Sequence, residues 1–146
     1  PNVDRDFYVS VVPEMKIIYD AAYPLLVHSQ AALVTSGTAT LETAAIGTPQ
    51  VVCYRANGSK LSYKLFEHIL KVRFVSLPNL IADKEVVPEL LLHLCNPDNI
   101  AAHLAPLLND SAERRAMLDG YKTVRQRLGS NDSAETAARQ LIADLK

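Results

Sequence analysis

An α/β fold, a parallel sheet with helices on both faces followed by a helical tail, is predicted by three observations on this chain. Short Val- and Ile-rich runs alternate with helically spaced stretches through the first half, the pattern of a sheet buried on both sides. The run Ala31-Ala32-Leu33-Val34 turns through Ser36-Gly37-Thr38 straight into a helical stretch, the connection that βαβ units use. Beyond Ser76 no further strand pattern occurs, and the rest reads as capped helices.

In order, the pattern predicts a helix near 4–11, a strand at 15–19, a helix over 21–29, a strand at 31–34, a helix over 37–46, a strand at 50–54, a helix over 59–72 and a strand at 73–76. A helix starts near Val86 and carries Glu89 in its first turn, where its dipole favours a carboxylate. Asn96-Pro97 reads as N-cap and first helical residue, with Pro106 kinking or ending that helix. Ser111 with Glu113 starts another, Gly129 stops it, and Asp132-Ser133 starts the last. One domain over 1–146 is expected, an α/β core at 1–95 and a helical tail at 96–146.

Composition excludes several function classes. A formal net charge of -1 speaks against a dedicated nucleic-acid binder, whose face is strongly basic. No apolar stretch approaches the roughly 18 residues that span a bilayer, and no signal-peptide pattern leads the chain, so a cytoplasmic protein is predicted. Cys53 and Cys95 sit in apolar runs and read as reduced, structural thiols. His28, His68, His93 and His103 have no ligand-like spacing, so no metal site is expected. The chain opens at Pro1-Asn2 with neither Met nor strand, as a piece of a longer protein would.

The chemistry concentrates in Ser36-Gly37-Thr38-Ala39-Thr40-Leu41-Glu42. The first N–H groups of a helix have no internal partner and lie at the positive end of its dipole, so this turn is suited to a phosphate. Glu42 lies one turn beyond Thr38, about 6 Å along the axis at 1.5 Å per residue, a span that suits a diphosphate on the turn and a ribose diol on the carboxylate. Glu42 does not stand three residues after a Ser or Thr, so it is no capping-box carboxylate. With five glycines, none in a dinucleotide or Walker pattern, a phosphate has no P-loop to use. The loop Leu77-Pro78-Asn79 is expected to leave its strand at the same carboxyl edge, where ligands of open sheets bind. The alternatives are a plain capped helix start at Ser36 and a plain turn at Asn79.

Between Arg55 and Val75 five basic residues stand against Glu67 alone, +4 locally. Lys60, Lys64 and Lys71 share one face of an amphipathic pattern, which fits either a sheet-covering helix with a solvated side or contact with an anionic membrane.

These segments, with Pro49-Gln50-Val51-Val52-Cys53-Tyr54-Arg55, Val75-Ser76-Leu77-Pro78-Asn79-Leu80 and Val87-Pro88-Glu89-Leu90-Leu91, resemble the lipid-A-disaccharide synthases over most of residues 16–95. The resemblance implies a Rossmann-like domain, the C-terminal half of a GT-B glycosyltransferase whose first strand and Gly-Ser-Arg loop are missing. The implied reaction transfers 2,3-diacylglucosamine from its UDP donor to 2,3-diacylglucosamine 1-phosphate, a lipid acceptor, releasing UDP without a metal or other cofactor. It implies that Ser36, Gly37 and Thr38 receive the diphosphate, Glu42 holds the ribose and Asn79 lines the donor side. Thr40, Arg55 and Glu89 stand in matching motifs without an assigned contact. Leu92 departs from the family pattern, which has Gln there. The N-terminal domain, source of the acceptor side and the base, is missing, so the chain alone is expected to be inactive; the parent is expected at the bacterial inner membrane. Two readings remain beside this one: another UDP-sugar enzyme, of the N-acetylglucosamine 2-epimerase or peptidoglycan glycosyltransferase kind, and a non-catalytic nucleotide-binding module.

Overall fold

The computed structural model describes residues 4–35, 37–55 and 73–129. Three parallel strands form an open sheet in the order β1 (Ala32–Val34), β2 (Gln50–Tyr54), β3 (Glu89–Leu91), flanked by helices. The helices are α1 (Arg5–Val11), α2 (Ala22–Val27), α3 (Thr38–Ile46), α4 (Leu77–Ala82), α5 (Pro97–Leu107) and α6 (Ala112–Leu128). This is the predicted Rossmann-like α/β architecture.

β2 is central because its residues suit burial on both sides: Gln50, Val51 and Val52 are all fully buried. Around it Ala44 of α3, Ala82 of α4, Leu90 of β3, Leu107 of α5, and Met117, Tyr121 and Val124 of α6 form one apolar core. Helix limits follow local chemistry. Asp4 accepts from Asp6 N at 3.2 Å, Asn96 from Asn99 N at 3.0 Å and Ser111 from Arg114 N at 3.0 Å, each an N-cap readable in sequence. Gly47 ends α3 at φ 98, the left-handed conformation that favours glycine. Pro106 lies one residue before the end of α5, so it terminates the helix rather than bending it. The predicted helices at 59–72 and from Asp132 lie outside the described residues.

Three expectations need correction. Residues 15–19 form no strand: Met15 and Ile18 are exposed, and no described strand pairs with them. β propensity without a ladder partner does not make a strand. Residues 73–76 form none either, because the N–H groups of Val75 and Ser76 donate to the Glu89 carboxylate instead of a neighbouring strand. Conversely, Glu89–Leu91 is a strand and not the start of a helix. Val52 N donates to Pro88 O at 3.0 Å, and Glu89, Leu90 and Leu91 align with Val52, Cys53 and Tyr54. A leucine-rich run favours helix locally, but the open edge of β2 supplies a ladder that outweighs it.

α6 joins the elements from one side. Tyr121 OH is buried, donates to Thr48 O at 3.1 Å and accepts from Gln50 Nε2, which also donates to Thr40 O. Burial pushes the Tyr121 phenol well above its usual value, so it remains a neutral donor. Three arginines of α6 then reach backbone carbonyls at the ends of other helices: Arg114 to Leu107 O, Arg125 to Ala44 O and Arg127 to Ile81 O. Cations there satisfy orphan carbonyls and complement the helix dipoles.

Candidate functional site

The turn between β1 and α3 is where the sheet edge meets a helix start. Gly37 holds φ 113 and is the N-cap of α3. Among the described residues other than its chain neighbours nothing lies within 4 Å of a Cβ built there, so it is the backbone angle that calls for glycine. α5 and α6 begin on side-chain caps, whereas among the described residues no side chain caps α3, as none caps α2 or α4. Gly37 and Thr38 are exposed, and the N–H of Thr40 donates back to Gly37 O at 3.2 Å. Glu42 is exposed one turn on. Thr40 is fully buried and its hydroxyl donates back to Gly37 O at 2.8 Å, so it shapes the turn from within. Ser36 lies outside the described residues, as does the basic stretch from Lys60 to Lys71. Arg55 is exposed just past the end of β2.

Asn79 and Glu89 come together, which their ten-residue separation did not reveal. Asn79 is fully buried in α4 and uses its whole amide. Its Nδ2 donates to Val87 O at 2.9 Å and to Glu89 Oε1 at 2.8 Å, while Oδ1 accepts from Val86 N at 2.7 Å and Val87 N at 2.9 Å. Asn79 thus has no group left for a ligand, and it stands inside a helix rather than in a loop leaving a strand. Glu89 gathers the other donors: Ser76 N at 2.8 Å and Ser76 Oγ at 2.6 Å on Oε1, and Val75 N at 2.9 Å on Oε2. Such a carboxylate needs no cation beside it, since charged acceptors make the stronger hydrogen bonds. Ser76 is the N-cap of α4, a place that Ser-Leu-Pro-Asn signals by a serine shortly before proline.

The register decides where this cluster sits. Val34, Val52 and Glu89 lie in one row across the sheet. At about 4.8 Å per strand spacing, Glu89 is roughly 10 Å from the end of β1, where the α3 turn begins. Arg73, Phe74, Asn79, Glu85, Glu89 and Leu91 line a cleft of about 210 Å³, with the Arg73 guanidinium 5.0 Å from the Phe74 ring centre. A larger cavity of about 440 Å³ lies elsewhere, between residues 84–88, α5 and α6, and includes none of the predicted site residues. Leu92, where the resembled pattern has Gln, takes φ 59, an uncommon conformation for leucine, at the start of the turn after β3.

The Lipid-A-disaccharide synthetase family profile matches residues 10–143. The chain belongs to that family. It is 37% identical over 134 residues to the lipid-A-disaccharide synthase of Syntrophus aciditrophicus, covering 92% of this chain and 34% of that protein. It is 38% identical over 137 residues to the synthase of Sodalis glossinidius, with 92% and 35% covered, and 39% identical over 131 residues to that of Acidobacterium capsulatum, with 90% and 32%. The chain therefore spans about a third of the length of the lipid-A-disaccharide synthases it matches. Among the described residues no helix is long and apolar enough to cross a membrane.

Proposed function

We propose that residues 1–146 act as the donor-binding unit of a glycosyltransferase that moves 2,3-diacylglucosamine from UDP to 2,3-diacylglucosamine 1-phosphate and releases UDP. The observation that carries this reading is the uncapped start of α3 at Gly37, open to solvent and one turn from the exposed Glu42, in a chain of this family. The diphosphate rests on the turn at Ser36, Gly37 and Thr38, where free N–H groups and the helix dipole stabilise the leaving UDP in place of a metal. Glu42 accepts from the ribose hydroxyls. Glu89 holds the adjoining segment at 75–76 and Asn79 holds Glu89 and residues 86–87, rather than touching the nucleotide. Thr40 supports the turn, and Arg55 stands exposed just past the end of β2. The catalytic base and the acceptor side come from the rest of the parent protein, so this chain binds without turning over.

Calorimetry with UDP, UMP and ADP tests the site. Glu42→Ala is expected to weaken UDP at least about tenfold, the loss of roughly 1.5–3 kcal/mol for a charged hydrogen bond, with the circular dichroism spectrum unchanged. Unaltered UDP affinity in that variant removes the ribose assignment. In the same reading the parent rests on the anionic inner-membrane surface through Lys60, Lys64 and Lys71. Replacing all three by Glu is expected to abolish co-sedimentation of the full-length parent with anionic liposomes; undiminished co-sedimentation rejects that contact.

A further inference from the structure

Behind the start of α3 a relay of buried groups ends on the carbonyl of Gly37. Thr40, in the first turn of α3 and fully buried, sends both its N–H and its hydroxyl to Gly37 O, at 3.2 and 2.8 Å. Gln50 opens β2 and is fully buried as well; its Nε2 donates to Thr40 O at 2.9 Å and to Tyr121 OH at 3.2 Å. Tyr121 OH in turn donates to Thr48 O at 3.1 Å. Glutamine is a costly residue for this place. Among the described residues its Oε1 has no hydrogen-bond partner, and a buried oxygen in that state disfavours folding. Its strand neighbours Val51 and Val52 are apolar, and an apolar side chain would suit the core at least as well. Only the amide supplies the bond to Thr40.

We propose that Gln50, held by Tyr121, is a positioning residue that acts through Thr40 on the peptide between Gly37 and Thr38 and aims its N–H at the donor diphosphate, a role that rests on the nucleotide reading of this turn. The carbonyl and N–H of one trans peptide point in opposite directions. With Gly37 O drawn inward by Thr40, the N–H of Thr38 is turned away from the helix, toward the place the diphosphate takes in that reading. Gly37, at φ 113, has no Cβ to restrict a swing of this peptide plane. The plane therefore needs an outside hold, and β2 and α6 supply it from the core. Because Thr40, Gln50 and Tyr121 are all buried, they reach the nucleotide only through the backbone they fix. A donor group set in place before the ligand arrives spares the ordering cost of binding.

UDP calorimetry on the whole chain, paired with amide hydrogen exchange read by NMR, tests this. Gln50→Met keeps the length of the side chain without its amide. It is expected to weaken UDP about three- to tenfold, the equivalent of one ordinary hydrogen bond. The Thr40 amide is expected to exchange faster by a similar factor, while that of Val52, bonded to Pro88 O in the sheet, keeps its rate. Thr40→Val is expected to lose as much affinity, and Thr40→Ser, which keeps the hydroxyl, to retain it. UDP affinity unaltered in Gln50→Met and Thr40→Val overturns the proposal and leaves the donor site standing. So does equal acceleration of the Thr40 and Val52 amides, because Gln50 then serves the core as a whole. Failure of the unaltered chain to bind UDP removes the nucleotide reading itself, and the positioning role with it.

Discussion

Asn79→Leu is expected to lower the free energy of unfolding by about 3–5 kcal/mol, measured by urea denaturation with circular dichroism. Leucine has the same branched skeleton of four side-chain heavy atoms as asparagine but none of its polar atoms. The substitution leaves the N–H groups of Val86 and Val87 and the carbonyl of Val87 without the partners that Asn79 supplies, in a site closed to water. Each buried orphan costs about 1–3 kcal/mol, and Glu89 loses one of its four donors as well. Against a typical total of about 5–15 kcal/mol this is a large fraction. A loss below about 1 kcal/mol means that water or a local shift replaces the amide, and the inward role assigned to Asn79 then fails.

The second large effect is expected at Gly120. A Cβ there lies 2.5 Å from Val86 Cγ1, 3.1 Å from Cγ2 and 3.2 Å from Cβ. In an exposed helix Gly→Ala stabilises by about 1 kcal/mol; here Gly120→Ala is expected to destabilise by about 1–3 kcal/mol. The neighbour cannot simply retreat, because Val86 N is held by Asn79 Oδ1 at 2.7 Å and Val86 itself is buried. The cycle with Val86→Ala tests the cause. Removing both Cγ atoms is expected to restore part of the loss, so the double variant is more stable than the sum of the singles. Strict additivity places the damage elsewhere.

Both predictions turn on contacts that close the segment 84–88 against α4 and α6. That closure was not legible from spacing. Asn79 read as a ligand-edge residue because Pro78-Asn79 is a good turn signal, and Glu89 read as a first-turn helix carboxylate because leucines follow it. Both readings used neighbours in sequence. The structure uses partners at distances of seven to fourteen residues for Asn79 and Glu89, and of 71 and 73 residues for Tyr121. Side chains that look available in a linear pattern are consumed by such bonds, and Thr40 is a further instance.

The local features were readable because their causes are local. The caps at Asp4, Asn96 and Ser111, the stop at Gly47 and the end at Pro106 each depend on residues within four positions. The Val-rich β2 and the strand-turn-helix at Ser36 to Glu42 follow from composition and order alone, and the motif set carried the family. By itself, then, the sequence determined the fold class, most helix limits, the exposed Gly37-to-Glu42 helix start and the family. Tertiary structure alone decided that 15–19 and 73–76 are not strands, that 89–91 is one, and that Asn79 faces inward onto Glu89. The physical reason is common to all of these: an extended segment or a buried polar group is stable only with a hydrogen-bonding partner, and that partner is supplied by the register of the sheet and the packing of the helices, not by adjacent residues.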